Sequence, residues 1–165
     1  MRLYGGNKMG ADIHAWIEGK DKNGNWFVAN PRYVDFANPT RIKDVDEFYI
    51  GRNYPLFSAL GNVRNEHDIP FIQKNRGLPK DVTDITEGAA ADWDMDGHSF
   101  GYVTAIELQD YFMSYINAND ESIQLAAEAV KFLYYKLYNL AYEISDYEGN
   151  CLNVYDMRLV FWFDN

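Results

Sequence analysis

Cysteine is nearly absent from this sequence: Cys151 stands alone among 165 residues, which also hold only three histidines. A single thiol excludes an internal disulfide and suits a reducing cytosol. No apolar run approaches the ~20 residues needed to cross a bilayer. The opening Met1-Arg2-Leu3-Tyr4-Gly5-Gly6 lacks the apolar core of a signal peptide. Cations are also scarce, with 15 Lys and Arg against 25 Asp and Glu, a formal charge of −10. Contacts to phosphate need Lys and Arg, so direct nucleic-acid binding is not expected. There is no glycine-rich phosphate loop. These absences predict a soluble intracellular protein without a membrane partner. They leave open a basic protein partner, a metal ion, or mimicry of the charge of nucleic acid.

What is abundant is aromatic: 16% of the chain, including 13 Tyr. Tyr and Trp join a large apolar body to a polar tip, which suits half-buried pockets and interfaces. The length fits one domain, 1–165, and is enough to bury a real core.

The most informative stretch is Asp12-Ile13-His14-Ala15-Trp16-Ile17-Glu18. With a period of two it sends Ile13, Ala15 and Ile17 to one face of a strand, and Asp12, His14, Trp16 and Glu18 to the other. Asn23-Gly24 is a hairpin turn signal, and Trp26-Phe27-Val28-Ala29 reads as the returning strand. From Asn30 to Gly51, with Pro31 and Pro39, neither period holds, and irregular runs of this length are usually functional. Helices are predicted over about 55–64 with Pro55 in the first turn, 84–93 with Gly88 inside it, 104–113 and 121–144. Thr104 and Glu107 form a capping box, Asp120 caps the longest helix, and Thr83 with Glu87 just misses capping-box register. Met157 to Phe163 is a strand, with Leu159, Phe161 and Phe163 on one face and Arg158, Val160, Trp162 and Asp164 on the other. The expected fold class is α+β. It consists of a small antiparallel sheet of about three strands, the N-terminal hairpin plus the C-terminal strand, packed with about four helices and long irregular loops.

Two metal motifs are suggested and neither is completed. Asp92-x-Asp94-x-Asp96-Gly97 opens like a calcium loop, but a twelve-residue loop from Asp92 puts Val103 where the bidentate Glu belongs. Starting later, so that Glu107 closes the loop, puts Phe100 at a ligand position. Asp12-x-His14 matches the opening of binuclear metallophosphoesterases, yet Gly61-Asn62-Val63-Arg64 lacks the histidine that such sites require. No metal ligands are therefore assigned, and no cofactor is indicated. Ser99 adjoins His98, but neighbouring side chains commonly diverge, so adjacency alone does not make a nucleophile–base pair. Arg52, Arg64, Arg76 and Arg158 stand at turn and strand positions of an acidic chain. They can pair internally with Asp12, Glu18 or Asp164, or hold a carboxylate or phosphate through the guanidinium fork.

Several blocks occur together in order: Asp12-Ile13-His14 with Glu18, Arg52-Asn53-Tyr54, Leu56-Phe57, Val63-Arg64, Arg76-Gly77-Leu78-Pro79, Gly97-His98-Ser99, and Leu159 to Asn165. In these the chain resembles a family of small uncharacterised bacteriophage proteins. The likeness spans most of the sequence except 120–150, and departs at Phe100-Gly101-Tyr102, where the family tends to carry a further His or Ser and then Trp. The resemblance implies a phage or prophage origin and a host-cytoplasm location, and it carries no activity with it.

The resembling blocks hold the polar residues singled out independently, which suggests that they meet at one pocket. The first expectation is a phage accessory protein that binds, with or without hydrolysing, a small anionic ligand such as a nucleotide or nucleotide-derived host signal. His14 or His98 would be general acid or base, oriented by Asp12 or Glu18. Arg52, Arg64, Arg76 and Arg158 would hold the anion, Asn53 and Ser99 would line the site, and Trp16, Tyr54 and Trp162 would stack on a base. The second is an acidic inhibitor of the anti-defence kind that covers a basic host protein without chemistry, using Asp92, Asp94, Asp96, Asp120 and Glu121.

Overall fold

A computed structural model describes residues 10–30, 47–148 and 152–165, apart from the side chains of 145–148. Most of the irregular run from Asn30 to Gly51, and Cys151, lie outside the described residues. Four strands form one antiparallel sheet: β1 (Asp12–Lys20), β2 (Trp26–Val28), β3 (His98–Thr104) and β4 (Met157–Asp164). Their order across the sheet is β2-β1-β4-β3. The helices are α1 (Tyr54–Gly61), α2 (Asp84–Ala91), α3 (Ala105–Tyr115) and α4 (Glu121–Glu148). The expected α+β class is what the chain adopts. The final strand does lie beside the first, with Asp12 opposite Asp164 and Glu18 opposite Arg158.

The strand that sequence reading did not assign is β3. Its alternation is broken because Ser99 has a φ of 54°, and the register against β4 shifts between His98 and Gly101. A bulge of this kind places an extra residue on one strand and spoils the period of two. Gly101 sits in β3 because the Gln73 amide fills the space where a side chain would start. A Cβ there would lie 2.6 Å from Gln73 Nε2.

Local signals explain most element boundaries. Asp21 Oδ1 accepts from the N–H groups of Asn23 and Asn25, and Gly24 supplies a φ of 82°, closing the β1–β2 hairpin. Asn53 accepts from Leu56 N–H at the start of α1, and Asn62 ends that helix in the left-handed region. The Thr104–Glu107 capping box opens α3 as expected, and Asp120 accepts from Ile123 N–H at the start of α4. In α2, Thr83 accepts from Thr86 N–H, but no glutamate three residues on returns the favour. Instead Glu18, on β1, accepts from Thr83 N–H at 2.9 Å. The missing half of the capping box is thus supplied from 65 residues away, and it anchors α2 to the sheet.

Both faces of the sheet are covered. On one, Ile13, Ala15 and Ile17 of β1 meet Leu159, Phe161 and Phe163 of β4 beneath α1, α3 and α4. On the other, Trp16 and Trp162 pack with Val28 and Ala90 of α2, flanked by Trp93 and Phe100. That second apolar cluster gives the chemistry-bearing face of β1 a different character at each of its ends.

Candidate functional site

At the Asp12 end of β1 the polar side chains reach the surface. Arg52, just before α1, donates from Nε and Nη2 to the two oxygens of Asp12 at 3.0 and 2.9 Å, a bidentate fork about half exposed. The hydrogen bond from Arg52 holds the Asp12 carboxyl below the ordinary aspartate range. One pleat further in, His14 Nδ1 lies 3.0 Å from Glu47 Oε1, and the imidazole stacks on Trp93 with ring centroids 3.9 Å apart. Its Nε2 stands 3.3 Å from Asp164 Oδ2, close enough for an ion pair but out of line for a hydrogen bond, and it is buried without a hydrogen-bond partner. In the tautomer that donates to Glu47 from Nδ1, Nε2 offers a lone pair facing a carboxylate. A proton taken there would sit between the ring and Asp164. The arrangement can therefore accept, hold and return a proton.

His98 stands at the same end but on the opposite face. Its backbone partner is Phe163, whose ring it overlies at 6.2 Å, whereas His14 is partnered with Trp162. Directly opposed residues of an antiparallel pair share a face, so the two imidazoles are separated by the sheet. His98 Nδ1 lies 3.0 Å from Ser99 Oγ, and its Nε2 lies 3.2 Å from Asn165 Oδ1. This is a side-chain contact between neighbours made possible by the bulge. With the opposing contact to Asn165, it fixes the ring.

At the other end of β1 the face is closed. Glu18 and Arg158 are 0% and 4% exposed, and Arg158 donates from Nε and Nη2 to Glu18 Oε1 at 2.9 and 2.7 Å. Arg158 Nη1 also donates to Asp81 Oδ1 at 2.7 Å, and its guanidinium lies 3.7 Å over the Trp26 ring. Every polar atom of this group has a protein partner, so Glu18 and Arg158 tie β1, β2, β4 and the start of α2 together. Trp16 and Trp162 are buried between Glu18 and His14 on the same face, where neither can stack on an incoming base. Both indole N–H groups are buried without an acceptor among the described residues.

The remaining candidates lie apart. Asn53 caps α1, and Tyr54 beside it packs edge-on against Phe57. Arg64 takes a φ of 54° in the turn after α1 and is half-buried. Arg76 pairs with both oxygens of Glu107 at 3.0 and 2.8 Å and lies 4.9 Å over the Tyr102 ring. The structure thus brings Asp12, His14 and Arg52 together, holds His98 and Ser99 behind the sheet, and locks Glu18, Arg76 and Arg158 into internal ion pairs. Glu47 and Trp93 complete the cluster around His14, whereas Asn165 contacts His98 behind the sheet; none of the three was assigned from sequence. Of these, Trp93 had a signal, because it lies inside the acidic stretch already singled out. That stretch, from Asp92 to Asp96, leaves α2 as an exposed turn with Asp94 at a φ of 31°. Among the described residues no three His, Cys, Asp or Glu side chains are grouped as a metal site, and no helix is long and apolar enough to cross a membrane.

The ion pairs set an acid limit on stability. The hydrogen bond from Arg158 lowers Asp81, and that from Arg52 lowers Asp12. Burial pushes Glu107 up, but hydrogen bonds from Arg76 and from the Thr104 backbone outweigh it and leave this carboxyl lowered as well. A carboxyl lowered by folding contributes stability that is complete above its unfolded value and is lost as pH falls through its folded value. The urea midpoint is therefore expected to be flat above about pH 5 and to fall steadily below about pH 4. Glu107→Gln, which keeps the capping geometry but removes the charge, should lower the plateau and flatten that slope. An unchanged slope in this variant would remove Glu107 from the account. No family model matches this chain, and neither a curated protein nor a solved structure matches it.

Proposed function

We propose that the protein is a binding protein without turnover, presenting an acidic surface to a basic partner. On the resemblance, it would be a phage protein and the partner a host protein in the host cytoplasm. The observation that carries this reading is the fate of the arginines. Arg52, Arg76 and Arg158 are each paired to carboxylates of the chain's own, so these groups suited to hold an anion are already engaged. The exposed Asp92, Asp94 and Asp96 turn flanking Trp93, with exposed Glu47 nearby on His14, is an acidic surface in a chain of net charge −10. Such a surface steers basic partners and repels phosphate-bearing ones.

The test is retention of a host protein on the immobilised chain as salt is raised. The partner should be held at low ionic strength and released by about 0.5 M NaCl, where exposed charges are screened beyond a few ångströms. Asp92→Asn, Asp94→Asn and Asp96→Asn combined should abolish retention. A partner held equally by this triple variant would refute the assignment.

One observation favours the other reading, a small-molecule site. The His14 ring lies between Glu47 at Nδ1 and Asp164 at Nε2, a placement that suits a general acid or base. That reading requires a nucleotide-type ligand to raise the melting temperature, and Arg52→Ala or His14→Ala to remove the rise.

A further inference from the structure

An amphipathic helix at a surface ordinarily turns its apolar side to the core and a polar side to water. α4 obeys the first half, burying Ala126, Val130, Leu133, Leu137 and Leu140. Its outward side is mixed, with large apolar residues exposed among Glu128, Lys131, Lys136 and Asn139. Leu125, Phe132, Tyr135 and Tyr142 are 48%, 66%, 46% and 65% exposed. Together with exposed Glu128 and Asn139 they follow spacings of three, four, three, four and three from 125 to 142. These are the a and d positions of a heptad, the pattern of a helix that buries a second seam against another helix.

We propose that this seam pairs with the same seam of a second copy of the chain, antiparallel, about a two-fold axis passing between Leu133 and Tyr134. Three features point to a second copy. The first is self-complementarity: with a facing d, Leu125 meets Tyr142 of the other copy, Phe132 meets Tyr135, and the Glu128 carboxylate meets the Asn139 amide. Two-fold symmetry makes each contact twice. The second is orientation. A parallel pairing would set Glu128 against Glu128, a like-charge contact in the seam, and only the antiparallel arrangement gives that carboxylate a donor. The third is charge. Two chains of −10 repel one another over most of their surfaces, but 125–142 holds Glu128 against Lys131 and Lys136. This is a side on which two acidic copies approach without a local excess of negative charge. Lys136 already lies over the Phe132 ring at 4.8 Å, covering the rim of the seam and leaving the aromatic exposed. The seam runs for about 26 Å of helix.

The experiment is sedimentation velocity of the whole chain from roughly 1 to 100 µM, the range in which modest interfaces associate. A concentration-dependent dimer is expected. Phe132→Asp, at an exposed position that leaves the fold intact by circular dichroism, should raise the dissociation constant by roughly 30-fold or more. In a Cys151→Ser background, Glu128→Cys with Asn139→Cys should give a covalent dimer on oxidation. Glu128→Cys alone should not, because its two copies would stand about 16 Å apart along the helices. A chain that stays monomeric throughout the range overturns the proposal. So does a dimer indifferent to Phe132→Asp, or cross-linking by Glu128→Cys alone.

Discussion

Replacing Arg158 by Met is expected to cost about 3–5 kcal/mol of folding stability, read from urea unfolding followed by tryptophan fluorescence. The magnitude follows from what the substitution leaves behind. Glu18 has no exposed surface, and among the described residues its one hydrogen-bond donor apart from Arg158 is the Thr83 backbone N–H. An ionised carboxylate kept in that position without its guanidinium pays desolvation with little return. The structure makes a second claim that separates desolvation from any special worth of the pair. Glu18→Leu combined with Arg158→Met removes both charges and should recover most of the loss, because a buried ion pair replaced by apolar groups of similar size is often neutral. A double variant as unstable as the sum of its singles would mean that the two side chains act independently, Glu18 through Thr83 and Arg158 through Asp81, and not through the pair.

Trp162→Ala is expected to cost a similar ~3–5 kcal/mol, the usual range for emptying a large aromatic site. Trp162 is fully buried on the face opposite the main helical layer, stacked near Phe100 at 5.8 Å and beside His14 at 6.2 Å. Its loss would therefore empty the second apolar cluster and unseat the imidazole together. Trp162→Phe provides the contrast. The indole N–H is buried without an acceptor among the described residues, so the smaller ring gives up no hydrogen bond to them and should cost much less than Ala. Equal losses for Phe and Ala would show that the indole N–H does find a partner and that packing is not the main term.

These two positions also mark where sequence reading reached its limit. The alternation of Asp12 to Glu18 and of Met157 to Phe163 was legible, because each strand has one wholly apolar face and that fixes its register. The pairing of Arg52 with Asp12 and of Arg158 with Glu18 was open as one of two readings of those arginines. What alternation cannot say is whether a polar face meets water, a ligand or another part of the chain. Glu18 looked like part of a catalytic face, yet its partners are Arg158 and the Thr83 backbone N–H, and nothing near residue 18 announces them. The strand from His98 to Thr104 was hidden for a local reason: the bulge at Ser99 and the glycine at 101 erase the period that would have revealed it. His14 was singled out from its place on the polar face of β1. Glu47, which holds it, lies at the edge of the irregular run, where no periodicity operates.

The sheet order has a consequence for biosynthesis. β4 lies between β1 and β3, and it is the strand the ribosome makes after all the others described. Until it emerges, β1 and β3 have no common neighbour, and Ile13, Ala15 and Ile17 lack the phenylalanines that cover them. The hairpin and the separate helices can form during synthesis, but the sheet can close only after translation has passed residue 164. Contacts separated by so much chain close slowly. A nascent chain stalled before β4 would expose two unpaired strand edges, which makes it a substrate for chaperones or proteases rather than a partly working protein.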